Sequence, residues 1–354
     1  MKIAILGGGH GCYAAAADLS DAGHEVGLWR RDADALQTVI DTGSIVLKDQ
    51  DGSREVNIQL ASADISEVVR GAELIVVPSP AVAQADIAKQ LATCLEDGQV
   101  VFLPPGTFGG YLMHTIVKEE GCNADVAWAE TGTLPYLARK HGEREVNITI
   151  RAIHLPTGVF PLSKMDSAIE VIKRAYPSVH GCGDILSGAL MNAGPIIHPP
   201  LMVMNAAPLQ HFDEWDIHNE GTQKAVRDVT DKLDQERMNV RKAFGYDAPH
   251  YPLADHYNND RWMYGDAHKK LTDSGDWREH IDLYSHRYIT EDTALGLAFL
   301  ASAARYAGVE APVAHGILAI VGGFLDRDLY QGPRTFEELG LAQLTRDELT
   351  ARLN

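Results

Sequence analysis

Cysteine, basic charge and long apolar runs are all scarce in this chain of 354 residues. The four cysteines, Cys12, Cys94, Cys122 and Cys182, stand far apart and form no Cys-x-x-Cys pair. That spacing argues against a disulfide framework or a zinc knot and suits a reducing compartment. Lysine and arginine number 31 against 49 acidic residues, a formal net charge of −18. Binding along a phosphate backbone needs the opposite sign, so no nucleic-acid partner is expected. No apolar run reaches the ~18 residues that cross a bilayer unbroken. The apolar start, MKIAIL, is too short for a signal peptide. No membrane partner is therefore expected, and the expected location is cytoplasmic. Fifteen histidines are present, but none recur at the His-x3-His spacing of a helical metal site, so no metal is expected.

Apolar residues at 45% and charged residues at 23% have the balance of an ordinary globular protein. The length suggests about two domains. Lys2 to Leu6 (KIAIL) reads as a short buried strand, GGGHG as a turn, CYAAAADLSDAG as a helix of small residues, and HEVGLW as a second strand. In that context each glycine has a purpose. Gly7 permits a tight turn and Gly9 lets the backbone approach a pyrophosphate. His10 and Gly11 open the helix whose N-terminus would hold it. The third fingerprint position falls on Cys12, where Gly or Ala is usual.

The end of the second strand selects the cofactor. An acidic residue there accepts from the ribose hydroxyls of NAD, but this chain shows Trp29-Arg30-Arg31-Asp32. The guanidiniums of Arg30 and Arg31 suit a 2′-phosphate, so NADP is expected, with NAD the alternative if Asp32 turns inward. Two further units, ELIVVPSPAVAQADIAKQL and QVVFLPPGTFGG, continue the sheet. They put Pro78, Ser79, Pro105, Gly106 and Thr107 in loops at the carboxyl ends of strands, where the ligand crevice of such a sheet forms. DVAWAE and EVNITIRAI read as more strands, and near Gly181 to Asp184 strands give way to helical runs. The expected fold is an α/β Rossmann domain with a doubly wound parallel sheet over residues 1–183, followed by an all-α catalytic domain over 184–354.

In the second half, GALMNAG reads as a helix segment, VRDVTDKLDQERMNVRKAF as an amphipathic helix and TALGLAFLASAARYAG as a buried one. His198 stands in the apolar stretch GPIIHPP. Pro199 disfavours helical geometry before it, so the helix is expected to kink or stop at the histidine. Such a residue is either a satisfied core histidine or an acid–base group near neutral pH. A second patch, HRYITED, offers Asp292 as a helix cap or as the partner of an imidazole, and Arg287 as a surface cation or a bidentate carboxylate clamp. The segment HYPLADHYNNDRWMYGDAHKKLTDSGDWREH, 250–280, lacks a helical period and is a candidate lid. The apolar C-terminal helices suit a core or a homodimer interface.

Taken in order, the GxG turn, PPGTFGG, ETGTLPYLAR, MNAGPIIHPPLMVMNA, KLDQERMNVRKAFG, RYITED and GPRTFEELGL resemble the opine dehydrogenases, the octopine/nopaline dehydrogenase family, over nearly the whole chain. The resemblance implies that an α-keto acid condenses with an amine or amino acid and that NAD(P)H reduces the imine. It implies His198 as the acid–base, Asp292 as the acid that orients it, and Arg287 as the grip on the keto-acid carboxylate. It further implies that Glu130 contacts the amino substrate and that Asn192 and Asn205 hydrogen-bond substrate or cofactor. One alternative is a carbonyl reductase of the ketopantoate reductase or glycerol-3-phosphate dehydrogenase type. The lysine those enzymes use is missing from DILSGALMNAGPIIHPP. The other alternative, a non-catalytic nucleotide-binding protein, would not need the His, Arg and Asp that are kept.

Overall fold

The computed structural model describes residues 1–257, 261–265, 268–273, 275 and 277–354. Part of the candidate lid, namely 258–260, 266–267, 274 and 276, lies outside the described residues. The chain divides into two compact units, Met1–Ala189 joined by Asn354, and Leu190–Leu353.

The first unit contains twelve strands: β1 (Lys2–Leu6), β2 (Glu25–Trp29), β3 (Ser44–Asp49), β4 (Gly52–Asn57), β5 (Leu60–Ser62), β6 (Leu74–Val76), β7 (Val100–Leu103), β8 (Ala127–Thr131), β9 (Tyr136–His141), β10 (Glu145–Arg151), β11 (Leu155–Phe160) and β12 (Val179–Asp184). Eight of them form one sheet in the order β12-β11-β8-β7-β6-β1-β2-β5. Every neighbouring pair in it is parallel except β8 and β11. The direction of winding reverses between β1 and β6, the switch point at which such sheets open a ligand crevice. The other four strands make a second sheet, β4-β3-β10-β9.

The helix His10–Asp21 packs against strands of both sheets, which explains its composition. Gly11 to Ala17 are all buried, and a larger residue on either face would force the sheets apart. Charges fix it in place: Arg151 donates to Asp18 at 2.6 Å and to Asp49 at 2.7 Å, and Arg54 donates to Asp21 at 2.6 Å and to Asp49 at 2.8 Å. Asp49 has no exposed side-chain surface. The Arg54 hydrogen bond, with Arg151 behind it, holds its carboxyl well below the usual carboxylate range.

The first unit ends later than the composition change at Asp184 suggests. The short helix Ile185–Ala189 belongs to it because Gly158 and Gly188 touch backbone to backbone; a Cβ on Gly188 would stand 2.7 Å from Gly158 N. The run GALMNAG is consequently split, with a break between this helix and the next, Gly194–Met204.

The second unit is helical apart from a two-stranded ribbon, Trp215–Asp216 with Arg278–Glu279. Its longest helix, Lys224–Ala243, buries Leu233 and Val240 together with an ion pair, Arg237 to Asp234 at 2.6 Å. The pair is fully partnered. Arg237 also donates to the carbonyls of Leu190 and His250, and Asp234 accepts from the Leu253 amide, which clamps the start of the 250–257 segment. No helix among the described residues is long and apolar enough to cross a membrane.

Candidate active site

The turn after β1 is built for close approach. Gly7 has φ +128°, and Ser79 Oγ, which hydrogen-bonds Leu6 O at 2.7 Å, occupies the space a side chain there would need. Cys12 sits beneath with its thiol pushed up to about 11 by burial, an inert filler in the third fingerprint position. Pro78 packs behind Gly11, and Leu134 closes the same side. Gly9, by contrast, would carry its Cβ into open space, and no side chain caps the helix it begins. An uncapped helix N-terminus behind a bare glycine backbone fits a pyrophosphate.

The second candidate loop is filled differently. Thr107 and Phe108 both have φ +58°, a costly left-handed pair. The Glu130 carboxylate stabilises it by accepting from Phe108 N at 2.7 Å and Gly110 N at 3.0 Å. Gly106 lies against this carboxylate and its carbonyl accepts from Gln84. Glu130 is fully buried and occupies the N-terminus of the helix Gly109–Glu119. The Glu130 carboxylate braces the loop.

Around the glycine turn, the stem of Arg30 crosses Gly8, and its guanidinium donates to Ala35 O at 3.1 Å. Asp32 turns away and accepts from Ala35 N at 3.1 Å. Arg31 points outward, 73% exposed, toward Asp86 at 3.4 Å. His10 Nδ1 accepts from the Lys140 amide at 2.8 Å, and the Lys140 ammonium lies 4.5 Å from the Tyr13 ring centroid. Burial and then neighbouring Arg30 lower the Lys140 pKa. Lys140 comes from the second sheet, and no local motif announces it.

In the second unit the structure brings His198 and Asp292 together across 94 residues of sequence. His198 lies inside the helix Gly194–Met204, which runs on through Pro199 and Pro200 instead of stopping. The prolines cost it the donors that would meet the carbonyls of Pro195 and Ile196. Burial of Ile196, Leu201 and Met202 outweighs that loss. Asp292 is no cap either. It stands midway along a π-helix, Tyr288–Leu297, that continues into the α-helix Ala298–Ala307. Such i→i+5 segments cluster at functional sites.

Two glycines let these helices touch. A Cβ on Gly194 would fall on Asp292 Oδ1, and one on Gly296 would fall on the Pro195 ring. At that separation His198 Nδ1 and Asp292 Oδ2 lie 2.8 Å apart, with both side chains largely buried. The bond commits Nδ1 to the carboxylate and leaves Nε2 outside it. Arg287, 54% exposed, gives its Nε to Glu291 at 3.2 Å, which leaves both terminal Nη groups for a carboxylate. Burial alone would lower the Arg287 pKa, but Glu291 and Asp292 outweigh it and raise it.

The two asparagines have structural partners. Asn192 Oδ1 accepts from Gly194 N at 3.0 Å beside Asp292. Asn205 is spent inside the unit, donating to Leu201 O and Gly221 O and accepting from Trp215 Nε1. It braces the fold. Sequence reasoning missed Tyr288 and His218. The Tyr288 ring stacks on His198 with centroids 3.6 Å apart, and His218 Nε2 lies 2.9 Å from the Tyr288 hydroxyl. Behind His218 a small cavity is shared with His256, whose imidazole is pushed down to about 3 by burial and then by His268. Among the described residues, no three His, Cys, Asp or Glu side chains are grouped to hold a metal ion.

A nucleotide-binding turn at a switch point, with a helical unit carrying a buried His–Asp pair, defines a two-domain NAD(P)-dependent oxidoreductase. Comparison with known proteins narrows this. The family model of the NAD/NADP octopine/nopaline dehydrogenase alpha-helical domain matches residues 181–325, and that of the NAD-dependent glycerol-3-phosphate dehydrogenase N-terminus matches 2–128. An opine dehydrogenase from Arthrobacter sp. (strain 1C) is 28% identical over 97% of this chain and 96% of its own. Octopine dehydrogenase, solved with NADH and L-arginine, superposes with a TM-score of 0.72 at 18% identity, covering 99% of this chain and 98% of that one. Yersinopine dehydrogenase, solved with NADP+, gives 0.68 at 16% identity over 100% and 97%. The first half is of a kind shared with glycerol-3-phosphate dehydrogenases, while the second half matches the octopine/nopaline dehydrogenase helical domain, and over nearly its whole length the chain is similar to opine dehydrogenases.

Proposed function

We propose that this opine dehydrogenase condenses a pyruvate-like α-keto acid with an amine or amino acid and reduces the resulting imine to an N-(carboxyalkyl) product, with His198 as the acid–base. The observation that carries the assignment is the His198–Asp292 bond across 94 residues of sequence, which fixes one imidazole nitrogen and leaves the other to move protons. The Nη groups of Arg287 take the keto-acid carboxylate as a bidentate pair, while Glu291 steadies Nε. His198 Nε2 removes a proton from the incoming ammonium, so that the amine can add to the carbonyl. The same nitrogen returns the proton to the carbinolamine hydroxyl, which leaves as water. Asp292 balances the imidazolium that exists between these two transfers. NAD(P)H bound at the Gly7–Gly11 turn supplies the hydride that reduces the imine carbon.

NADP(H) is favoured over NAD(H) here, because Arg30 lies across the glycine turn and Asp32 is turned toward its own backbone. Four free thiols fit a reducing, cytoplasmic setting. The test is oxidation of NADPH and NADH with pyruvate alone and then with pyruvate and each common amino acid. Turnover that requires an amine is the expected result. Turnover with the keto acid alone would overturn the reading in favour of a hydroxy-acid dehydrogenase.

A further inference from the structure

We propose that Tyr288 is a positioning residue for the reaction, holding the His198 imidazole by its face, and that His218 holds Tyr288 in turn. This rests on the reading of His198 as the acid–base. The two rings lie 3.6 Å apart between centroids and only 9° from parallel, a full face-to-face contact. Tyr288 is buried at 6% exposure and secured from three sides. Its hydroxyl meets His218 Nε2 at 2.9 Å, His286 packs edge-on at 4.4 Å, and its amide donates to His286 Nδ1 at 3.3 Å. His218 is itself wedged edge-on between His198 at 5.9 Å and Trp277 at 5.0 Å.

The need for such a support follows from geometry. One hydrogen bond from Nδ1 to Asp292 leaves the imidazole free to swing about that bond, and Nε2 would sweep an arc. A flat partner on the ring face removes that motion. The face of a phenol ring is also electron-rich, so it favours the imidazolium that forms during each proton transfer. The titratable groups around His198 are Asp292, Tyr288, His286, Arg287 and Glu291 from the π-helix segment, and His218 from the segment before Lys224. Its own helix carries no other. The helix Lys224–Ala243 directs Val226 and Thr230 toward the His218 cavity, and His315 of the helix Pro312–Leu325 stacks on Tyr330.

The experiment compares Tyr288→Leu, Tyr288→Phe and His198→Ala in the full-length enzyme with saturating NADPH, pyruvate and the amine that supports turnover. Tyr288→Leu is expected to lower kcat by about 10- to 100-fold, the scale of a misoriented catalytic group, with KM for pyruvate little changed. Tyr288→Phe keeps the stack and should recover most of kcat. If Tyr288→Leu does not fold, judged by its circular dichroism melt, His218→Leu releases the hydroxyl with the ring kept and should give a smaller kcat loss of the same kind. Wild-type kcat in Tyr288→Leu, or a loss in Tyr288→Phe as deep as in Tyr288→Leu, would overturn the proposal. Retained kcat in His198→Ala would instead sink the acid–base reading on which it rests.

Discussion

The two units build their sites by opposite means. The nucleotide turn works by removal of side chains: Gly7 and Gly9 clear a surface of backbone, and Ser79, Cys12 and Pro78 support it from behind. The second unit works by accumulation. His198, the Tyr288–Asp292 stretch and His218 come from three separate parts of the sequence, and glycines let the helices of the first two approach closely. A bare backbone site tolerates variation in what surrounds it, as Cys12 at a Gly/Ala position shows. A site of stacked and bonded rings depends on each support in turn.

The largest effect that would sharpen this contrast is expected from His198→Ala. It should lower kcat by about 10²- to 10⁴-fold while NADPH binding, followed by nucleotide fluorescence, stays at the wild-type level. Asp292→Asn comes next. It keeps the shape but takes away the charge, and the loss of a charge-assisted bond worth about 1.5–3 kcal/mol corresponds to roughly a 10- to 100-fold fall in kcat. In the first unit, Arg30→Ala should weaken NADPH binding about tenfold and leave NADH binding nearly unchanged, whereas Arg31→Ala should do little. Equal effects of both variants on both nucleotides would break the assigned role of Arg30.

The smallest effect concerns stability rather than turnover. The Asp49 carboxyl is held below its ordinary range in the folded protein by Arg54 and Arg151. Its contribution is therefore present above the unfolded-state value of about 4 and is lost as pH falls below it. Asp49→Asn should lower stability by roughly 1–3 kcal/mol at neutral pH and by progressively less in acid. Thermal melts from pH 7 to pH 3 would show the two curves converging; parallel curves would place the stabilisation elsewhere.

What could be read from the sequence follows the same division. The turn, its strands and its helix are local, and their glycines need only the neighbouring residues to be understood. The parallel sheet followed by helices was legible for that reason, and the contact of His198 with Asp292 was legible through resemblance. Three features were not. The helix carrying Pro199 and Pro200 continues because its apolar flank is buried, a tertiary gain that local propensity does not contain. Glu130 and Asn205 look like ligand contacts in a linear motif, yet their polar atoms meet backbone groups 20 and 16 residues away. Tyr288 sits next to Arg287 in a motif already singled out. Its orientation depends on a π-helix, for which sequence has no period to show.

That π-helix makes the catalytic unit sensitive to length as well as composition. A segment with i→i+5 bonds carries an extra residue for its rise, and losing one residue among 293–297 would let it relax to ordinary α-helix. Asp292 would then turn by about 100° relative to the helix Ala298–Ala307. Every functional side chain would survive such a single-codon deletion, and the carboxylate would no longer meet the imidazole. In lineages of such enzymes, an alignment gap in this segment would mark lost chemistry even where each motif residue is intact.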